Sequence, residues 1–311
     1  MTGLTSAEAI LGEGQLFRSA LRANRRSVLA GGAALVATGC ATVTERERPV
    51  RFGLADITVI RELQRDYAGT VRQVAAMGYG LMGFRLSSYG GPSASELAPA
   101  EKARIIRDAG MELGPVRLGV RNASHDADLD AAAAIGAKIV VLSTAPPFIA
   151  GPKLFETNRD KFEAWLPQLA AVCEAARQRG LTFAYHNHWY DLLPLGGELP
   201  LDLMARAVPP ELLAFEVDLA WTWYAGVAPL DLLRRLGSRV VSMHWKDIDR
   251  TKGKSTTDHA VVPGAGEMNY PALLPHVVRQ TRAPGFVEVD NPGDGLAAAR
   301  QGAELIKRVL A

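Results

Sequence analysis

Cysteine is almost missing from this chain: 311 residues hold only Cys40 and Cys173. With Cys40 in an amino-terminal leader, the body has no internal disulfide available, although an oxidising compartment would permit one. Cys173 falls in an apolar helical stretch and is expected in the core. Excess charge is missing too. The formal net charge is +2, and residues 1–39 carry four arginines (Arg18, Arg22, Arg25, Arg26) against two glutamates (Glu8, Glu13), so the remainder is neutral. A neutral body has no electrostatic footprint for nucleic acid or anionic lipid. No run of about 20 apolar residues, the length that spans a bilayer, occurs. Val28–Gly39 is apolar but short, and it follows the pair Arg25–Arg26 and precedes "ATGC". That order reads as a twin-arginine export signal with a lipoprotein box, which would leave Cys40 as a lipidated terminus and the only link to a membrane. Residues 1–48 are therefore expected to be leader, and the protein exported and periplasmic.

Also absent are a low-complexity linker after residue 50 and a Gly-rich phosphate loop after the first strand, where "FGLADIT" stands. One domain, 49–311, is expected. Short apolar runs alternate there with helical patterns. The strand-like runs are Val50–Ile57, Tyr79–Leu86, Pro115–Val120, Lys138–Ser143, Leu181–His186, Leu213–Leu219, Val240–Trp245 and Gly285–Val289. Helical stretches alternate with them at Gly69–Met77, Glu101–Leu113, Leu129–Ile135, Arg159–Arg179, Pro200–Ala207, Pro229–Leu236, Tyr270–Arg282 and Gly293–Leu310. Strict alternation implies a parallel sheet covered by helices. Eight units in about 250 residues imply an α/β fold of one kind, a single closed (β/α)8 TIM barrel, with its site where strands end at the C-terminal face.

Histidine is scarce, six in all, yet two fall within "YHNHWYD" at the end of strand five. Strand six ends in "FEVDLAW", strand seven in "SMHWKDID" and strand eight in "FVEVDNP". Alternate strand residues share a face. His186 then faces with His188, Glu216 with Asp218, His244 with Lys246, and Glu288 with Asp290. Four consecutive strands each supplying acid/base or metal-type side chains point to a reactive site, and the mixture of imidazole and carboxylate suits one divalent ion such as Mn, Co, Zn, Fe or Mg. Of five tryptophans, Trp165 lies in the long helix and is expected to pack there. Trp189, Trp221, Trp223 and Trp245 fall at the ends of strands five to seven, where flat faces suit a sugar ring.

The motifs "YHNHWYDL", "EVDLAW", "HWKDID", "VPGAGEMNY" and "VEVD", in this order, resemble those of the sugar phosphate isomerase/epimerase superfamily, the xylose-isomerase-like TIM barrels, in a branch with a YHNH motif. The resemblance implies one divalent metal held from strands five to eight, with Asp218, His244 and Glu288 as ligands. The strand-five ligand falls within Tyr185–His188; His186 is chosen, with His188 as substrate contact or acid/base group. Lys246 is expected near the substrate's oxygens, and Asp290 and the four rim tryptophans on the substrate side. Three departures stand out: Gly83 where relatives often place a pocket glutamate, "VRLGV", with Leu118, where they often place a histidine, and the shorter Asp191 where a glutamate often follows the YHNH motif.

The implied function is a metal-dependent isomerase or epimerase moving a proton through an enediolate of a keto- or oxidised sugar, with His188 or Asp191 as base. The same machinery expelling a leaving group would be a dehydratase or glycoside lyase. A non-catalytic sugar-binding lipoprotein and a DNA-repair nuclease are the other readings, the last opposed by the neutral charge.

Overall fold

Eight parallel strands close on themselves. The computed structural model describes residues 50–86, 97–122 and 124–311. In chain order the strands are β1 (Phe52–Leu54), β2 (Leu81–Arg85), β3 (Glu112–Arg117), β4 (Ile139–Leu142), β5 (Thr182–His186), β6 (Leu213–Asp218), β7 (Val240–Trp245), the short pair β8 (Asp247–Ile248) and β9 (Ala260–Val261), and β10 (Gly285–Val287). Strands β1 to β7 pair successively, β7 pairs β10, and β10 returns to β1, while β8 and β9 form a separate antiparallel ribbon. Helices fill the connections, so the fold is a single (β/α)8 barrel. The expected export leader, with Arg25, Arg26 and Cys40, lies outside the described residues. Among the described residues no helix is long and apolar enough to cross a membrane.

The helical jacket follows from sequence periodicity. In Arg159–Gln178 the buried residues are Phe162, Trp165, Leu169, Cys173 and Ala176, the 3- and 4-residue steps of one helical face. Asn158 caps that helix, its Oδ1 accepting from Lys161 N at 3.0 Å. Cys173 is buried, and burial pushes its thiol up to about 12. Trp165 packs edge-on against Phe162. Asn269 likewise caps Tyr270–Gln280, with Pro271 in the first turn.

Inside the barrel, the ring of Phe286 runs from β10 across Gly53 of β1 to Gly114 of β3. A Cβ at either glycine would stand 2.3 or 2.5 Å from that ring. Both glycines are thus required by close approach. Val141, Ala184 and Ala214 form a small apolar cluster of their own, on the strand faces that carry His186 and Glu216 further along.

Boundaries differ from expectation in instructive places. The helix expected over Glu101–Leu113 stops at Asp108, because Gly110 turns back at φ 82° and Glu112 and Leu113 already pair with Leu81 and Met82 as the start of β3. Two helices, Ile60–Arg65 and Leu219–Tyr224, were not expected. The second starts directly off β6, with Asp218 Oδ1 accepting from Trp221 N at 2.8 Å. Strand β10 ends at Val287; Glu288 lies just past it, its N–H still donating to Trp245 O at 3.1 Å.

Candidate metal centre

Strand ends deliver the site. β5 presents His186 at its last residue, and the chain then enters a 3₁₀ turn, Trp189–Leu192, headed by His188. The two histidines are therefore not on one strand face, as alternation implied, since pairing stops at His186. Their rings still meet, edge-on, with centroids 4.9 Å apart. β6 contributes Glu216 and Asp218, β7 His244 with Lys246 just beyond, and the segment after β10 Glu288 and Asp290.

Glu216 is the hub. Its Oε1 lies 3.1 Å from His186 Nδ1, 3.2 Å from His244 Nε2 and 2.5 Å from Arg117 Nη2, and its Oε2 accepts from Ser242 Oγ at 2.6 Å. Burial works to raise this carboxyl, yet the charges of Arg117 and His244 hold it well below the ordinary range. By anchoring one nitrogen of each imidazole, Glu216 turns the other nitrogen toward Asp218. His186 Nε2 and His244 Nδ1 stand 3.9 and 3.8 Å from Asp218 Oδ2, and His244 Nδ1 is 2.8 Å from Glu288 Oε2. His186, Asp218 and His244 offer ligand atoms all within 4.8 Å of one another.

Lys246 occupies the centre of the acidic side. Its Nζ is 2.7 Å from Glu288 Oε1, 2.9 Å from Asp290 Oδ2 and 3.0 Å from Asp218 Oδ2, and 4.6 Å from the centroid of Trp221. Burial alone would lower its pKa; Asp218, Asp290 and Glu288 outweigh that and raise it. The side chain is 0% exposed. This corrects the expectation that Lys246 faces the substrate: its charge is taken up by three carboxylates, which it holds in place. Asp290 shares that fate, with 20% of its side chain still open.

Asp191 is also relocated. It is fully buried, its Oδ1 accepting from Tyr185 Oη at 2.8 Å and its Oδ2 from His188 N at 2.8 Å. Burial pushes it up to about 7 against those two donors. With both oxygens engaged it fastens the turn under His188 and has no face toward a substrate. His188 itself stays partly open. Burial, then the neighbouring His186 and Lys246, holds its pKa well below the usual histidine value, so the ring is neutral at pH 7.

The tryptophans divide. Trp189, half-buried, lies against Trp221 at 5.1 Å beside the His188 ring; Trp221 is fully buried with Lys246 Nζ over its face, which corrects its placement on the substrate side. Trp223 is drawn aside under the Arg250 guanidinium, 4.6 Å from its ring. Trp245 is not a rim residue: its indole lies over Gly285, where a Cβ would come within 1.8 Å, and it belongs to the layer between strands and helices.

Two contributors escape a reading of sequence alone. Glu216 has only its shared face with Asp218 to announce it. Arg117 ends β3, and nothing in its own segment marks it out.

The donor set can be tested against a metal. Ligand atoms about 2.0–2.2 Å from one ion stand roughly 3–3.5 Å apart, so the three imidazole–carboxylate separations of 2.8–3.9 Å need only small adjustments. Charge argues the same way. Glu216, Asp218, Glu288 and Asp290 face two permanent cations, Arg117 and Lys246, within one buried cluster. The deficit is two positive charges. That count takes both histidines as neutral, the form that binds metal; without an ion burial raises Asp218 to about 6, and Glu288 with Glu216 overcomes burial to raise His244 to about 9, which makes up one of the two charges. A divalent ion fits both the ligand chemistry and the charge.

Comparison with known proteins agrees with this architecture. The family model described as the xylose isomerase-like TIM barrel matches residues 71–309. Among curated proteins none matches. The fold is similar to a sugar phosphate isomerase/epimerase from Parabacteroides distasonis (TM-score 0.70, 16% identity, covering 86% of this chain and 98% of that one). It is also similar to the probable 3-DHS dehydratase AsbF of Bacillus anthracis (0.62, 13%, 83% and 98%). A third likeness is to the IOLI protein with a binding zinc atom (0.64, 13%, 84% and 98%). Identities this low carry the fold alone.

Proposed function

Since the chain belongs to the xylose isomerase-like TIM barrel family, we propose that it is a divalent-metal-dependent isomerase or epimerase of a keto- or oxidised sugar. The observation that carries the reading is the buried set His186, Asp218 and His244 at the strand ends, with Glu288 2.8 Å from His244, in a cluster two charges short of balance when its histidines are neutral. Those four residues would hold the ion. When bound, it would supply Lewis-acid polarisation of a substrate carbonyl.

The rest falls to the chain's own groups. Trp189, partly open beside the His188 ring, offers a flat face to the apolar side of the sugar and shields it from water, with the fully buried Trp221 backing it. His188, neutral and partly open, is the base that takes the carbon-bound proton, giving the enediolate. Return of that proton to the neighbouring carbon isomerises the sugar; delivery of a solvent proton to the opposite face, with His188 passing its own proton to water, epimerises it. Asp191 and Tyr185 fix the turn that aims His188, and Lys246 keeps Asp218, Glu288 and Asp290 from drifting apart. Positioned base catalysis of this kind is worth about 10²–10⁴-fold. A second reading, elimination of a leaving group from the same enediolate, draws on the likeness to a dehydratase-named structure. The export signal read in residues 1–48 favours an unphosphorylated or oxidised sugar in the periplasm.

The test is metal analysis followed by deuterium wash-in across a panel of keto-sugars. Incorporation at a carbon-bound position that disappears with chelator and in His188→Ala supports the proposal. Metal-independent sugar binding without incorporation into any sugar would replace it with a sugar-binding protein.

A further inference from the structure

β2 and β3 run in register so that Arg85 and Arg117 are direct neighbours at the mouth. The barrel rim is therefore polarised: two guanidinium groups on the early strands, four carboxylates on the late ones. Arg85 is committed to Asp56, through Nε at 3.0 Å and Nη2 at 3.1 Å. Arg117 is committed by only one nitrogen. Its Nη2 reaches Glu216 Oε1 at 2.5 Å and lies 2.7 Å from His244 Nε2. Its Nη1 is buried with no hydrogen-bond partner, so an acceptor reaches it only if the side chains covering it yield; 15% of the guanidinium-bearing side chain is open to such an approach.

An unpaired guanidinium nitrogen in a closed setting is destabilising, and buried donors of this kind are normally met by an acceptor. This one lies within a guanidinium's width of His244, hence beside the proposed ion. It is on the side of the mouth where Gly83 and Leu118 offer no acid or base. An anionic oxygen is the acceptor that a guanidinium holds most strongly. Its charge can be bounded. With a divalent ion the cluster is neutral, so a monoanion brings one charge to the unpaired side of the guanidinium. A phosphate dianion would bring two charges and three oxygens to that side, with Glu216 and Glu288 close by.

We infer that the substrate is a sugar acid, its carboxylate seated on Arg117 while its carbonyl end lies toward His188. This rests on the proposed function and specifies its substrate class. The experiment uses metal-loaded full-length protein at fixed ionic strength, with calorimetric titration of three probes: 2-keto-D-gluconate, D-fructose and D-fructose 6-phosphate. The keto acid is expected to bind at least about tenfold more tightly than D-fructose, and more tightly than the phosphate. Arg117→Lys keeps a cation for Glu216 and removes the second nitrogen, so it folds and should bring the acid-to-neutral ratio close to one. Metal-induced thermal stabilisation serves as its folding control, and Arg117→Met is the harsher companion. Equal binding of D-fructose and the keto acid overturns the inference alone if metal-dependent wash-in persists, as does tightest binding of the phosphate. Survival of the ratio in Arg117→Lys overturns it too, leaving Nη1 to a water. Failure of every sugar to bind or exchange removes the proposed function and this inference with it.

Discussion

Loading the protein with a divalent ion should raise its melting temperature markedly. With its histidines neutral the cluster is two charges short, so an ion that binds the folded state alone removes a buried imbalance that a protonated His244 offsets only in part. At 100 times its dissociation constant a ligand of this sort contributes about 2.7 kcal/mol. For a domain of this size each kcal/mol moves the midpoint by about 2–4 °C, which gives a rise of about 5–11 °C. The assay is differential scanning fluorimetry on chelator-stripped protein, with stepwise Mn, Co, Zn and Mg. Asp218→Asn takes away one ligand and halves the deficit, so the rise should nearly vanish, while the metal-free midpoint holds or climbs because a costly buried carboxyl has gone. If no ion shifts the midpoint beyond about 1–2 °C, or if Asp218→Asn responds like the parent, the charge argument fails.

The metal-free protein should also lose stability as pH rises. His244 is raised to about 9 from an unfolded value of 6.5, so its contribution is complete below pH 6.5 and disappears as pH passes through 9. The loss, about 3 kcal/mol by the width of that window, is measurable by urea denaturation at pH 6.5 and 9.5 and should be absent in His244→Gln. Lys246→Met strands three carboxylates and should destabilise the metal-free form by about 3–5 kcal/mol, while the thermal rise on metal addition grows beyond the parent's. Asp247→Ala removes a carboxylate that accepts from Ile248, Gly264, Gly266 and Met268 N–H at 2.8–3.0 Å. It should lose at least about 3 kcal/mol and open residues 250–268 to limited proteolysis; unchanged cleavage would show the loop to be held by other means.

Much of the barrel is legible because period-2 and period-3.6 patterns alternate without interruption from Val50 on. Strand β5 can be read to its last residue, since "LTFAYH" is apolar and β-rich. The turn beyond His186 cannot, because alternation is a rule for paired backbone. His188 and Asp191 lie past the last ladder bond, in a turn shaped by Asp191's own hydrogen bonds. Lys246 and Trp245 mislead for a related reason: sequence gives a strand's end, but which partners a side chain meets there depends on the strands beside it. Three carboxylates from other segments claim the lysine, and the space left open at Gly285 claims the indole. Arg117 is easily passed over because its importance comes from Glu216, 99 positions away.

Phe286, lying across Gly53 and Gly114, stoppers the barrel below the acidic cluster. A reactant can enter and leave by one door only, so traffic, selectivity and escape of the product are all governed by the loops above it. The opposite end is free to vary for solubility or neighbours without disturbing the chemistry.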